Sequence, residues 1–263
     1  MKTVVTDLDG TLLHNGELSL KSIEILDEFQ KHHRLVLATG RNMQSVQSIY
    51  QKLHMEEHQT GAMILLNGLS FYDFSDHEYK QLSSFDHVTA KRIVHICYLL
   101  FFRITIVTSD KRIPYPCLYD QIYDILRYIV KHKKPRHFSK IEIPHNIEKI
   151  ELGGSIFFEL FYFILKHCLS SYEVVRVSQY WIEILPLGVN KVNMLHYLVC
   201  KYHISMDDLY VFGDGENDLK MLSYCQNSIC PKNSLKRTKT VAHDQCLSND
   251  EDGVANYIDE LIK

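Results

Sequence analysis

Thr3-Val4-Val5-Thr6-Asp7-Leu8-Asp9-Gly10-Thr11 is the stretch on which the fold turns. A short apolar run ends abruptly in two aspartates, a glycine and a threonine. Three further runs repeat the plan: Arg34–Ala38 before Thr39-Gly40-Arg41, Ala62–Leu66 before Asn67-Gly68, and Leu209–Phe212 before Gly213-Asp214-Gly215-Glu216-Asn217-Asp218. Stretches of helical periodicity separate them. Ser19 is placed to cap a helix with Ile23, Leu26 and Phe29 on one stripe; Met43, Val46, Tyr50 and Leu53 make a second stripe, and Val254, Tyr257, Ile258 and Leu261 a third. This alternation predicts an α/β fold with a doubly wound parallel sheet. Near-continuous apolar runs suggest strands buried on both faces, and ligands of such sheets bind beyond the carboxyl ends of the strands. Carboxylates, a hydroxyl and an amide therefore converge on one rim.

Composition narrows the field. With 263 residues, 46% hydrophobic and 23% charged, the chain is globular, of one large domain or two small ones. Its 29 basic and 32 acidic side chains leave a net charge of −3, so no global positive field gathers nucleic acid or anionic membrane. Seven cysteines without a Cys-x-x-Cys pair read as reduced thiols in a cytoplasmic protein. Asp7 interrupts the apolar start too early for an export signal. The window Ile156 to Leu165 is the most lipid-like, yet too short to cross a bilayer, and is read as a buried helix.

Between Leu82 and Trp181 the texture changes to aromatic-rich segments, a Pro114-Tyr115-Pro116 break and the basic cluster Lys131 to Arg136. The expected organisation is a discontinuous core, residues 1–82 and 186–263, with a domain inserted at 83–185. The basic cluster reads as a solvated surface, and Tyr115, Tyr119, Tyr123 and Trp181 as core of the insert. His54-Met55-Glu56-Glu57-His58 reads as a surface helix, because its glutamates are not in the order of a zinc-protease motif.

Two aspartates at i and i+2 after a strand can aim at the same space, with Gly10 permitting a sharp exit. Such a pair suits Mg²⁺, which takes one or two carboxylates with water and phosphate oxygens, and Asp214 can supply another carboxylate from a second strand end. The Thr39 hydroxyl and the backbone N–H groups of the Thr39-Gly40 turn suit phosphoryl oxygens. Lys191 opens a helix, where a cation opposes the helix dipole and a nearby anion relieves the mismatch. Asn217 and Asp218 have a plain alternative as caps of the next helix.

Asp7-Leu8-Asp9-Gly10-Thr11, Leu37-Ala38-Thr39-Gly40-Arg41, Gly188-Val189-Asn190-Lys191 and Gly213–Asp218, in that order, resemble the four motifs of the haloacid dehalogenase-like hydrolases. Asn67-Gly68 and Asn249–Ala255 resemble the Cof-type subgroup, whose mixed α/β cap lies between the second and third motifs. The resemblance covers essentially the full chain. It implies that Asp7 is the nucleophile and Asp9 the acid and base; that Asp7, the Asp9 carbonyl and Asp214 hold Mg²⁺; that Thr39, Lys191, Asn217 and the Leu8 and Gly40 backbones hold phosphoryl oxygens; and that Asp218 supports Lys191 or a metal-bound water. The expected function is hydrolysis of a small phosphorylated metabolite, with sugar phosphates the implied class. A phosphosugar mutase with the same aspartyl chemistry and a catalytically idle binding or regulatory protein are the alternatives. Monomer and cap-mediated dimer both fit the sequence.

Overall fold

The computed structural model describes residues 1–108, 111–115, 117, 143–145, 147–154 and 157–263. The chain divides into two compact units, Met1–Leu82 with Val189–Lys263, and Ser83–Gly188. In the first, strands β1 (Thr3–Thr6), β2 (Arg34–Ala38), β3 (Ala62–Leu65), β4 (Ser70–Asp73) and β5 (Tyr79–Gln81) join three from the C-terminal part. Numbered after the five strands of the second unit, those three are β11 (Leu209–Phe212), β12 (Asn227–Pro231) and β13 (Asp244–Cys246). The sheet order is β13-β12-β11-β1-β2-β3-β4-β5, parallel from β13 to β3 and closed by two antiparallel strands.

The central strands are buried because both faces are covered. All four residues of β1 and β3 are buried, and Val5, Val36, Ala38, Ile64 and Val211 pack with Met194, Leu195 and Leu198 of the helix Lys191–Tyr202. The expected helices form where the stripes place them: Leu20–Gln30, Met43–Lys52 and Gly253–Ile262. Ser19 caps the first, its hydroxyl accepting from the Ser22 N–H at 2.9 Å. One strand is shorter than its apolar run. Leu66 leaves β3 with φ 51°, turning the chain before Asn67. His54 precedes and His58 ends a single helical turn, Met55–His58, and both rings bond Asp27 Oδ1 at 2.9 Å.

The second unit carries an antiparallel sheet of β6 (Arg103–Thr108), β7 (Arg112–Tyr115), β8 (Ile147–Gly153), β9 (Tyr172–Ser178) and β10 (Trp181–Pro186), in the order β7-β6-β8-β10-β9. Ile104, Ile106, Ile150, Leu152, Ile182 and Ile184 face the helices His87–Leu99 and Phe158–Cys168 to form a separate core. The reading of Ile156 to Leu165 as a buried helix needs correction, and Ile156 itself lies outside the described residues. Only Phe158 and Leu165 of that helix are buried, while Leu160 and Phe163 stand 57% and 62% exposed. A helix on one face of a single sheet has only one stripe to bury. Tyr115 packs against this core and Trp181 lies over Gly153, whereas Tyr119, Tyr123 and Lys131 to Arg136 lie outside the described residues. Among the described residues no helix is long and apolar enough to cross a membrane.

Candidate active site

Asp7 leaves β1 with its N–H donating to the Phe212 carbonyl of β11 at 3.0 Å, so the two strand ends that carry Asp7 and Asp214 stay in register. Leu8 is fully buried and its carbonyl accepts from Thr11, Leu12 and Leu13, which curls the loop back on itself. Gly10 takes φ 86°, and a Cβ there would fall 2.6 Å from Asp214 Oδ2. Only glycine satisfies both demands. The Thr11 hydroxyl then donates to Asp214 Oδ1 at 2.8 Å.

Lys191 enters from the start of its helix, whose cap is Asn190, accepting from the Asn193 N–H at 2.9 Å. Its side chain is 1% exposed, and Nζ donates to Asp7 Oδ1 at 2.5 Å and to Asp218 Oδ1 at 2.7 Å. Asp218 uses its other oxygen to accept from the N–H groups of Asp214 and Gly215 at 3.1 and 3.0 Å. It caps no following helix, because its side chain folds back into its own loop. Burial alone would lower the Lys191 pKa, but the charges of Asp218 and Asp7 outweigh it and hold the ammonium above its ordinary pKa. Burial also lifts the Asp7 carboxyl well above the carboxylate range against the pull of Lys191. Asp214, buried beside the charge of Asp218, is pushed up to about 6.

Asp7, Asp214 and Asp218 each bring an oxygen within 4.8 Å of the others. Oxygen-only donors suit a hard divalent cation. Asp218 is already committed to Lys191 and two N–H groups, so Asp7 and Asp214 are the two carboxylates that could hold a divalent cation. A cation between them would also offset the burial that, with the like charge of Asp218, raises both pKa values.

The other expected residues form two groups. Asp9, 55% exposed, is gripped by Arg41 in a two-bond fork, Nε to Oδ2 at 2.8 Å and Nη2 to Oδ1 at 2.5 Å. Thr39 is buried, its N–H donating to the Ile64 carbonyl at 2.8 Å and its hydroxyl accepting from the Arg41 N–H at 3.1 Å. Asn217 donates through Nδ2 to Asn67 Oδ1 at 3.3 Å, and Asn67 also lies against Gly40. Thr11, Arg41 and Asn67 were given no role by sequence reasoning. All three sit in the strand-end loops singled out for other residues, which is the one signal that marks them.

Over residues 4–258 the chain matches the haloacid dehalogenase-like hydrolase family. It belongs to that family. The chain is therefore a hydrolytic enzyme, and it resembles its relatives from end to end. It is 28% identical to the 5-amino-6-(5-phospho-D-ribitylamino)uracil phosphatase YwtE of Bacillus subtilis, over 100% of this chain and 98% of the relative. A haloacid dehalogenase-like hydrolase from Bacteroides thetaiotaomicron shares the fold with a TM-score of 0.81 at 24% identity, covering 99% of each chain. The subclass IIB sugar phosphatase BT4131 does so with a TM-score of 0.76 at 17% identity, again over 99% of each.

Proposed function

We propose that the chain is a Mg²⁺-dependent phosphatase that hydrolyses a small phosphomonoester, a sugar phosphate or similar metabolite, through an aspartyl-phosphate on Asp7. The observation that carries the reading is the buried Lys191 bridging Asp7 and Asp218 with Asp214 alongside. A buried ammonium between two carboxylates, with a third carboxylate at cation-sharing distance, is suited to gather and neutralise a phosphoryl dianion. The relatives named as phosphatases, one of them acting on a phosphoribityl compound, support the same class.

On this reading an Asp7 carboxylate oxygen attacks phosphorus; the bond to Asp7 forms as the bond to the leaving oxygen breaks, and Asp9 gives that oxygen a proton. Water then attacks the phosphoryl group, its proton returns to Asp9, and Asp7 departs as carboxylate. Asp7, Asp214 and the Asp9 carbonyl would hold Mg²⁺, which would supply charge neutralisation for the phosphoryl transfer. Lys191, Thr39, Asn217 and the Leu8 and Gly40 backbones hold the phosphoryl oxygens, and Asp218 fixes Lys191. Asp9 must exchange Arg41 for the leaving oxygen as substrate arrives. The inserted domain, residues 83–185, would select the leaving group. Seven cysteines without a disulfide suit the reducing cytoplasm to which the reading assigns the enzyme.

Release of phosphate from p-nitrophenyl phosphate is expected to need Mg²⁺ and to fall by more than about 10³-fold in Asp7→Asn. Undiminished turnover in that variant, or in wild type with excess chelator, refutes the assignment.

A further inference from the structure

Leu66, Asn67 and Gly68 follow β3 with φ of 51°, 56° and 97°, three left-handed residues in a row. L-residues avoid that region, and such strain persists only where the surroundings over-determine it. Here the surroundings are three segments of the candidate site. The Leu66 N–H donates to the Arg41 carbonyl at 3.0 Å and the Asn67 N–H to the Thr39 carbonyl at 2.9 Å, which ties the arch to the Thr39-Gly40-Arg41 turn. The Asn67 side chain, 3% exposed, accepts from Asn217 Nδ2 at 3.3 Å, and a Cβ on Gly40 would meet Asn67 Nδ2 at 3.1 Å. Gly68 presses on the third segment. A Cβ there would fall 2.2 Å from the carbonyl oxygen of Asn190, the cap of the helix that carries Lys191.

We infer that Asn67 is a positioning residue of the phosphoryl pocket, its amide fixing Asn217 and the Thr39-Gly40 turn so that their donors meet on one phosphoryl group. The inference rests on the phosphatase reading. An amide NH₂ has two hydrogens, so Asn217 can spend one on Asn67 and aim the other at phosphate. A neutral amide does this without adding negative charge beside a dianion, which a carboxylate in the same place would do.

Asn67→Gly tests the side chain alone, because glycine takes the left-handed backbone without strain. In it, kcat/KM for p-nitrophenyl phosphate is expected to fall and Ki for orthovanadate to rise by about tenfold each, the scale of one lost charge-assisted hydrogen bond. Asn217→Ala should move both in the same direction, and the double variant should raise the vanadate Ki by less than the product of the two single effects. A merely structural Asn67 would lower the melting temperature without that coupling, and effects that multiply overturn the inference. Asn67→Asp is the second variant, since aspartate also tolerates the left-handed region. Its added charge should raise the vanadate Ki beyond that of Asn67→Gly, and an unchanged Ki overturns the placement whatever Asn67→Gly does. Wild type that neither releases phosphate nor binds vanadate overturns the phosphatase reading and this inference with it; active wild type with an unaltered Asn67→Gly overturns the inference alone.

Discussion

Lys191 shows why a buried charge belongs to its partners. Removing one member of a buried ion pair typically costs about 3–5 kcal/mol, because the other is left uncompensated. Among the described residues Asp214 makes no ion pair: the Thr11 hydroxyl donates to it at 2.8 Å, and it is buried beside the charge of Asp218. Its folded pKa of about 6 lies above the ordinary 3.8, so the fold prefers it protonated and is penalised as pH rises through about 6. That penalty is absent below about pH 4 and reaches about 3 kcal/mol at pH 7. With chelator present, the stability of Asp214→Asn relative to wild type is expected to rise by that order between pH 4 and pH 7 in urea melts. With Mg²⁺ at pH 7 the difference should reverse, because wild type alone has the carboxylate to bind it. A pH-independent gap would show that Asp214 is not strained by its neighbours.

Between residues and molecule stand the strand-end loops, where sequence and structure compare most directly. The runs ending at Thr6, Ala38 and Phe212 were legible as strands because burial on both faces leaves no alternation to confuse. Asp7, Lys191 and Asp214 were legible as chemistry because each is a charge placed where a strand ends or a helix starts. The Asn67–Asn217 contact was not, since it joins loops 150 residues apart and depends on register across the sheet. Nor was the fork from Arg41, for a side chain beside a turn gives no sign of which carboxylate it will meet. Loop geometry itself makes a testable claim through two glycines. Gly10→Ala meets both a positive φ and Asp214 Oδ2 at 2.6 Å, and is expected to cost about 1–3 kcal/mol of stability and to raise the Mg²⁺ concentration for half-maximal activity about tenfold. Gly16→Ala, at φ 82° with its nearest neighbour 3.9 Å away, should bear the backbone strain and leave the metal requirement unchanged. Equal metal requirements in the two variants would detach Gly10 from the metal site.

At the scale of the whole molecule, the two units have separate hydrophobic cores. Val5, Val36, Ile64, Leu195 and Val211 belong to one, and Phe102, Ile106, Ile150, Leu152 and Ile184 to the other, with no residue shared. Every carboxylate of the acidic cluster, and Lys191 with it, lies in the first unit. On the proposed reading, metal and phosphate analogue would therefore stabilise the first unit directly, by about 2.7 kcal/mol at a ligand concentration one hundred times Kd. Ile150→Ala acts on the other core, where the residue is fully buried in the middle strand of the five, and removing it should cost about 2–5 kcal/mol. Calorimetry of that variant is expected to resolve two transitions, a lower one from residues 83–188 and an upper one that alone moves upward with Mg²⁺ and orthovanadate. A single transition that moves as a whole with ligand would mean that the two cores unfold as one cooperative unit.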